Sequence, residues 1–128
     1  MTNYIRYGYI CRGYSMTSLV PLTPAVLHIL LALAEGQRHG YAILKDVERQ
    51  TDGAMRMGPG TLYGTLQRLM EQGLVEEASG PARPIDERRR YYQLTKSGRA
   101  ALKGEVERME TLVRTARARR VAARPSRG

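Results

Sequence analysis

A helix that is apolar on nearly every side is hard to house in a chain of 128 residues. Val26, Leu27, Ile29, Leu30, Leu31 and Leu33 follow Thr23-Pro24, with His28 as the only polar interruption. Thr23 suits an N-cap, and Pro24 suits the first helical position, where a missing N–H costs nothing. A helix is expected over 24–35, stopping before Gly36. An ordinary surface helix buries one stripe and wets the other. Here both sides need cover, so either the helix is central or its second face meets another subunit. The run is far short of the roughly 20 apolar residues that span a bilayer.

The rest of the chain reads as alternating helix and turn signals. A second helix is expected over 40–50, with Ile43, Leu44 and Val47 inward and Asp52-Gly53 ending it. Residues 55–57 admit a very short strand. Gly58-Pro59-Gly60 opens a third helix in which Leu62, Leu66, Leu69 and Met70 fall at i, i+4, i+7 and i+8, one apolar stripe. Gln72-Gly73 closes it. Two strands are expected over 74–78 and 89–94, separated by a turn-rich stretch containing Gly80, Pro81 and Pro84. Alternation places Tyr92 and Leu94 on one face of the second strand and Tyr91 and Gln93 on the other.

Thr95 then caps a last helix reaching about 118, where Leu102, Val106, Met109, Val113 and Ala116 are spaced 4, 3, 4, 3 as in a heptad seam. About two heptads do not pair alone in water. The seam needs an apolar surface already in place, and the first helix offers one. The expected fold class is therefore mainly α with a small β-hairpin wing. A winged helix-turn-helix occupies 19–94, a dimerisation helix 95–118, and a basic tail, expected disordered, 119–128. Residues 1–18 lack any period and are either disordered or not native. Met16 is an alternative start, since purine-rich bases of a ribosome-binding site can encode Arg12-Gly13.

The formal net charge of +9 sits at the two ends. Residues 19–110 carry 13 basic and 12 acidic groups, so the high total is weak evidence for a polyanionic partner, and local pattern must decide. Cys11 is the single cysteine. It has no partner for an intramolecular disulfide or a metal site, which fits a reducing cytoplasm. No Ser/His/Asp or Cys/His constellation, P-loop or metal-ligand cluster stands out, so no enzyme and no cofactor is expected. His28 reads as a satisfied core residue, and His39 as a group that orients the start of the second helix. Tyr41 fits a core position or a phosphate contact equally.

With its leucine stripe inward, the third helix turns Gly60, Thr61, Gly64, Gln67, Arg68 and Glu71 outward, beside Pro59 and with Tyr63 on the flank. Arg68 suits guanine and Gln67 adenine, while the Thr61 and Tyr63 hydroxyls suit phosphate oxygens. The plain alternative is a solvated face. Arg83, Arg88, Arg89 and Arg90 stand on the hairpin against Asp86 and Glu87, as backbone contacts or as a solvated charge run. Arg88 and Arg90 share one side by alternation. The tail arginines either add non-specific phosphate attraction or do nothing.

Several of these segments together resemble the PadR family of regulators. They are Leu22-Thr23-Pro24, His39-Gly40-Tyr41, Gly60-Thr61-Leu62-Tyr63, Arg68-Leu69, Gly73-Leu74-Val75, and the run from Arg90 through Tyr91, Tyr92, Gln93, Leu94, Thr95, Lys96 and Ser97 to Gly98. The likeness spans 22–114 and rests on order and spacing, with no single motif decisive. Gly64 departs from it, since many members carry proline there. The resemblance implies a winged helix, a C-terminal dimerisation helix, binding to a double-stranded, pseudo-palindromic operator, and release by a small-molecule effector. A homodimer would join Leu27, Leu30 and Leu31 to Leu102, Val106, Met109 and Val113. With Trp and Phe absent, an effector pocket would be lined by aliphatic side chains, Met and Tyr. A winged helix that binds protein instead of DNA is the competing expectation.

Overall fold

The computed structural model describes residues 22–82 and 88–121. The N-terminal extension with Cys11 and Met16, the hairpin residues Arg83, Pro84, Asp86 and Glu87, and the end of the tail lie outside them. In chain order the elements are α1 Pro24–Ala32, β1 Arg38–His39, α2 Gly40–Gln50, α3 Pro59–Glu71, β2 Val75–Ala78, β3 Tyr91–Leu94 and α4 Lys96–Ala118. Three side chains start helices as N-caps: Thr23 accepts from the Val26 amide at 3.3 Å, His39 from Ala42 at 3.2 Å, and Thr95 from Gly98 at 3.0 Å. Each satisfies an amide that the helix itself leaves unpaired.

The expected hairpin is a three-stranded antiparallel sheet of order β1-β3-β2. β2 meets β3 from Val75 opposite Leu94 to Ala78 opposite Tyr91. The far edge of β3 takes Arg38 opposite Tyr92 and His39 opposite Tyr91. A strand of two residues has no period to detect, and the free edge of β3 decides that it forms. The short strand expected over 55–57 is absent. Met55 instead donates its amide to Thr51 Oγ1 at 3.0 Å, and the Met55 and Met57 side chains lean on the core.

α1 lies at the centre of the domain. Ile29, Leu30 and Leu33 belong to one buried cluster with Ile43 and Val47 of α2, Leu62 and Leu66 of α3, Leu74 and Val75 at the start of β2, and Leu102 of α4. One chain therefore covers most of the helix, leaving only Leu31 of its large apolar side chains well exposed, at 39%. That corrects the expected interface. Leu30 is wholly enclosed by its own chain, and Leu27 and Leu102 are buried, so these three have almost no surface to give a second copy.

α1 also ends earlier than expected, at Ala32 rather than 35. Residues 33–36 tighten into turns through i→i−3 bonds such as Leu33 to the Leu30 carbonyl and Ala34 to Leu31, both 3.1 Å. The released carbonyls find distant partners. Arg38 Nε donates to the Ala32 carbonyl at 2.7 Å, and Arg99 Nη2 to the Ala34 carbonyl at 3.0 Å. Satisfying orphan carbonyls from β1 and α4 lets the chain turn inside the domain.

α4 is docked through its first turn. Thr95 Oγ1 donates to the Gly73 carbonyl at 2.6 Å, and the Thr95 amide to Leu74 at 3.1 Å. Gly98 then passes so close to the residue before β2 that a Cβ there would collide with the Leu74 carbonyl. Beyond Glu105 the helix leaves the core, and 106–115 is exposed at every position.

Candidate nucleic-acid interface

α3 carries the site because its two sides differ so sharply. Leu62, Thr65, Leu66 and Leu69 are buried, while Pro59, Gly60, Thr61, Tyr63, Gln67, Arg68 and Glu71 are exposed and Gly64 is half-buried. The expected polar face is thus one continuous surface of α3, running from its first turn to its last. α2 packs across α3, which holds that surface outward at the edge of the domain.

Beside it stand the arginines of the hairpin. β3 begins at Tyr91, so Arg88, Arg89 and Arg90 precede the strand, and the alternation expected of them does not apply. With Tyr63 and Tyr92 they line an open hollow of about 600 Å³ between α3 and the sheet. Arg90 lies 4.0 Å from Glu77 across the β2–β3 pair, a loose and exposed contact. Burial raises the Tyr92 pKa, Tyr63 adds to the rise, and Arg90 only partly opposes it. The phenol at the floor of the hollow therefore stays protonated and can donate.

His39 ties this region to the helix-turn-helix. Its Nδ1 caps α2, its ring meets Tyr91 edge-on with centroids 5.6 Å apart, and Arg89 Nη1 stands 3.0 Å from Nε2. A neutral imidazole has one acceptor nitrogen. It can cap α2 or accept from Arg89, but not both, so Arg89 competes for a group that the helix already uses. Burial first, and the Arg89 charge second, lower the His39 pKa and favour that neutral form. Next to it, the Tyr63 ring lies over Gly40, where a Cβ would collide with the hydroxyl. The missing side chain at Gly40 gives the Tyr63 ring its place against the start of α2.

Other assignments resolve differently. His28 is half-buried and bonded through Nδ1 to Gln50 Oε1 at 2.6 Å, with Gln50 returning a bond to the His28 carbonyl at 3.1 Å. Tyr41 is 58% exposed with Lys45 over its ring, which places it outside the core. Sequence reasoning passed over Thr65, whose hydroxyl is buried in α3 and bonded to Arg68. The three-residue spacing of the pair was the available signal.

Val106, Met109, Leu112 and Val113 remain exposed on α4. Val106, Met109 and Val113 border a shallow hollow of about 330 Å³ with Glu110, Arg114 and Arg117. Leu112 was not among the expected seam residues, and it is the most exposed of the four at 62%. Among the described residues, no helix is long and apolar enough to cross a membrane.

Comparison with known proteins agrees with this architecture. Residues 29–104 match the model of the transcriptional regulator PadR-like family. The transcriptional regulator Rv3488 of Mycobacterium tuberculosis is 39% identical over 89 residues, which cover 69% of this chain and 78% of that protein. An uncharacterized 37.1 kDa protein in transposon Tn4556 of Streptomyces fradiae is 43% identical over 90 residues, 69% of this chain, and the match spans only 24% of its length. Among solved structures, a transcriptional regulator from Clostridium thermocellum superposes with a TM-score of 0.59 at 29% identity, covering 73% of this chain and 87% of that one. Bordetella bronchiseptica BpsR, whose DNA binding is regulated by 6-hydroxynicotinic acid, gives 0.56 at 25% identity over 75% of this chain and 65% of its own. With the family model covering more than half of its length and the helix-turn-helix and wing in place, the chain belongs to the PadR-like family of transcriptional regulators.

Proposed function

We propose that this regulator is a cytoplasmic, non-enzymatic repressor that binds a pseudo-palindromic operator as a homodimer and leaves it when a small molecule binds. α3 enters the major groove, the second helix of the motif being the one that reads base edges. Arg68 and Gln67 face bases, Thr61 and Tyr63 face phosphates, and Pro59, Gly60 and Gly64 keep the near side low enough for close approach. Arg88, Arg89 and Arg90 take the adjacent backbone. The observation that carries the reading is the hollow between α3 and the sheet, walled by three arginines and two tyrosines on a domain whose patterned part is nearly neutral. Release by an effector is supported by the regulated DNA binding of BpsR.

Dimerisation follows from the reach of one reading helix, which covers only a few base pairs. Pairing two of them across a two-fold axis sets half-sites about 34–36 Å apart. Leu31, Val106, Met109 and Val113, joined by Leu112, form the surface left for that contact. The α4 residues from Val106 onward lie beyond the family match, which ends at 104.

The test is salt-dependent binding to duplex DNA. Neutralised phosphates release counterions, so log affinity falls linearly with log salt at about 0.9 per phosphate contact. Replacing Arg88, Arg89 and Arg90 together with alanine should weaken binding to every sequence and flatten that slope by about two to three. An unchanged slope would return these arginines to solvent. A parent chain with no salt-dependent affinity for DNA would favour a protein-binding module.

A further inference from the structure

Arg68 is the long cation on the exposed face of α3, and its direction is not left to chance. Thr65 lies one turn earlier and is 5% exposed. Its hydroxyl donates to the Thr61 carbonyl at 2.8 Å and accepts from Arg68 Nη2 at 3.2 Å. One proton and two lone pairs let both bonds exist together. The other terminal nitrogen, Nη1, lies 3.9 Å from where a Cβ on Gly64 would stand, so the guanidinium runs back along the helix over a position without a side chain. Among the described residues, Arg68 has no carboxylate partner. Thr65 is the side chain that holds it.

An arginine carries much rotamer entropy, and whatever freedom remains in the free protein must be lost at a base edge. We propose that Thr65 is a specificity-positioning residue. Buried beneath the exposed face, it does not touch DNA but sets the direction in which Arg68 presents its guanidinium. The proposal rests on the reading of α3 as the recognition helix. Gly64 lies beside the same device, where a Cβ would meet the guanidinium at ordinary van der Waals distance.

The experiment uses the full chain and a duplex recovered by selection from random sequence against it, with a scrambled duplex of the same length as the competitor. Fluorescence anisotropy gives the ratio of the two affinities. Thr65→Val keeps the shape and removes the hydroxyl, and it should lower that ratio about five- to tenfold, as expected for one lost hydrogen bond. Thr65→Ser should hold the ratio within about twofold of the parent, since it keeps the bond. In an Arg68→Ala background, Thr65→Val should cost nothing further, because contacts that act as one unit are not additive. Should Thr65→Val fail to fold, Thr65→Ala takes its place in the same cycle. The proposal is overturned if the valine variant keeps the parent ratio, or loses it equally without Arg68. If Arg68→Ala alone leaves the ratio unchanged, the base-reading role falls first and the positioning role with it.

Discussion

Met109→Asp tests whether the exposed part of α4 serves the proposed assembly and not the fold. Met109 is 37% exposed in the single chain, flanked by Val106 at 38% and Val113 at 41%, on a stretch of helix that the core does not touch. A carboxylate there remains in water as long as the chain is alone, so the far-UV spectrum should not change. In a two-fold dimer the same carboxylate is withdrawn from water. Arg114 and Arg117 border the same hollow and soften its charge, so the cost is taken at the low end for an unsatisfied polar group, about 2 kcal/mol. Symmetry repeats that cost in the partner, giving about 4 kcal/mol, or close to a thousandfold in the dimer dissociation constant. Sedimentation velocity at micromolar concentration should show the parent as a dimer and the variant as a folded 14.4 kDa monomer. A variant that stays dimeric would refute the placement of the interface. One that unfolds would refute the claim that Met109 lies outside the monomer core, and a monomeric parent would remove the dimer altogether.

Gly98→Ala sets a methyl group against the Leu74 carbonyl, where backbone must move to admit it, and should cost about 2–3 kcal/mol or more; urea unfolding measures this, and a loss under 0.5 kcal/mol would mean that α4 docks less tightly than described. His39 should make stability depend on pH. Its folded pKa lies below the ordinary 6.5, so above that value both folded and unfolded states are neutral and the capping arrangement contributes fully. As pH falls below about 6.5 the unfolded chain takes up a proton first, and stability declines until the folded imidazole is protonated too. His39→Asn keeps an N-cap without a titrating group, and the parent's unfolding midpoint should fall relative to the variant's from pH 7.5 to pH 5.5. A constant difference would assign no such role to His39.

Much of this molecule is legible in the sequence where information is local. Thr23, His39 and Thr95 lie next to the amides they cap, and the leucine stripe of α3 repeats within a few turns. For that reason α2, α3 and α4 fall where periodicity puts them, and the outward face of α3 can be named residue by residue. The stop of α1 at Ala32 was not legible, because Arg38 and Arg99 take the Ala32 and Ala34 carbonyls from other elements. Neither was β1, whose two residues are strand only because β3 offers an edge.

The hydrophobic seam of α4 shows the limit most clearly. Spacing alone groups Leu102 with Val106, Met109 and Val113 as equals. Packing against α1 takes Leu102 into the domain's own core and leaves the other three outside. In the same way an all-round apolar α1 admits a buried core helix or an interface helix, and only its packing with α2 and α4 in one buried cluster decides for the core. Sequence determines which side chains avoid water, since that is a property of each residue and its helical phase. Which neighbour covers them is a property of three-dimensional packing, and one chain's folding answers it for Leu30 while leaving Met109 exposed.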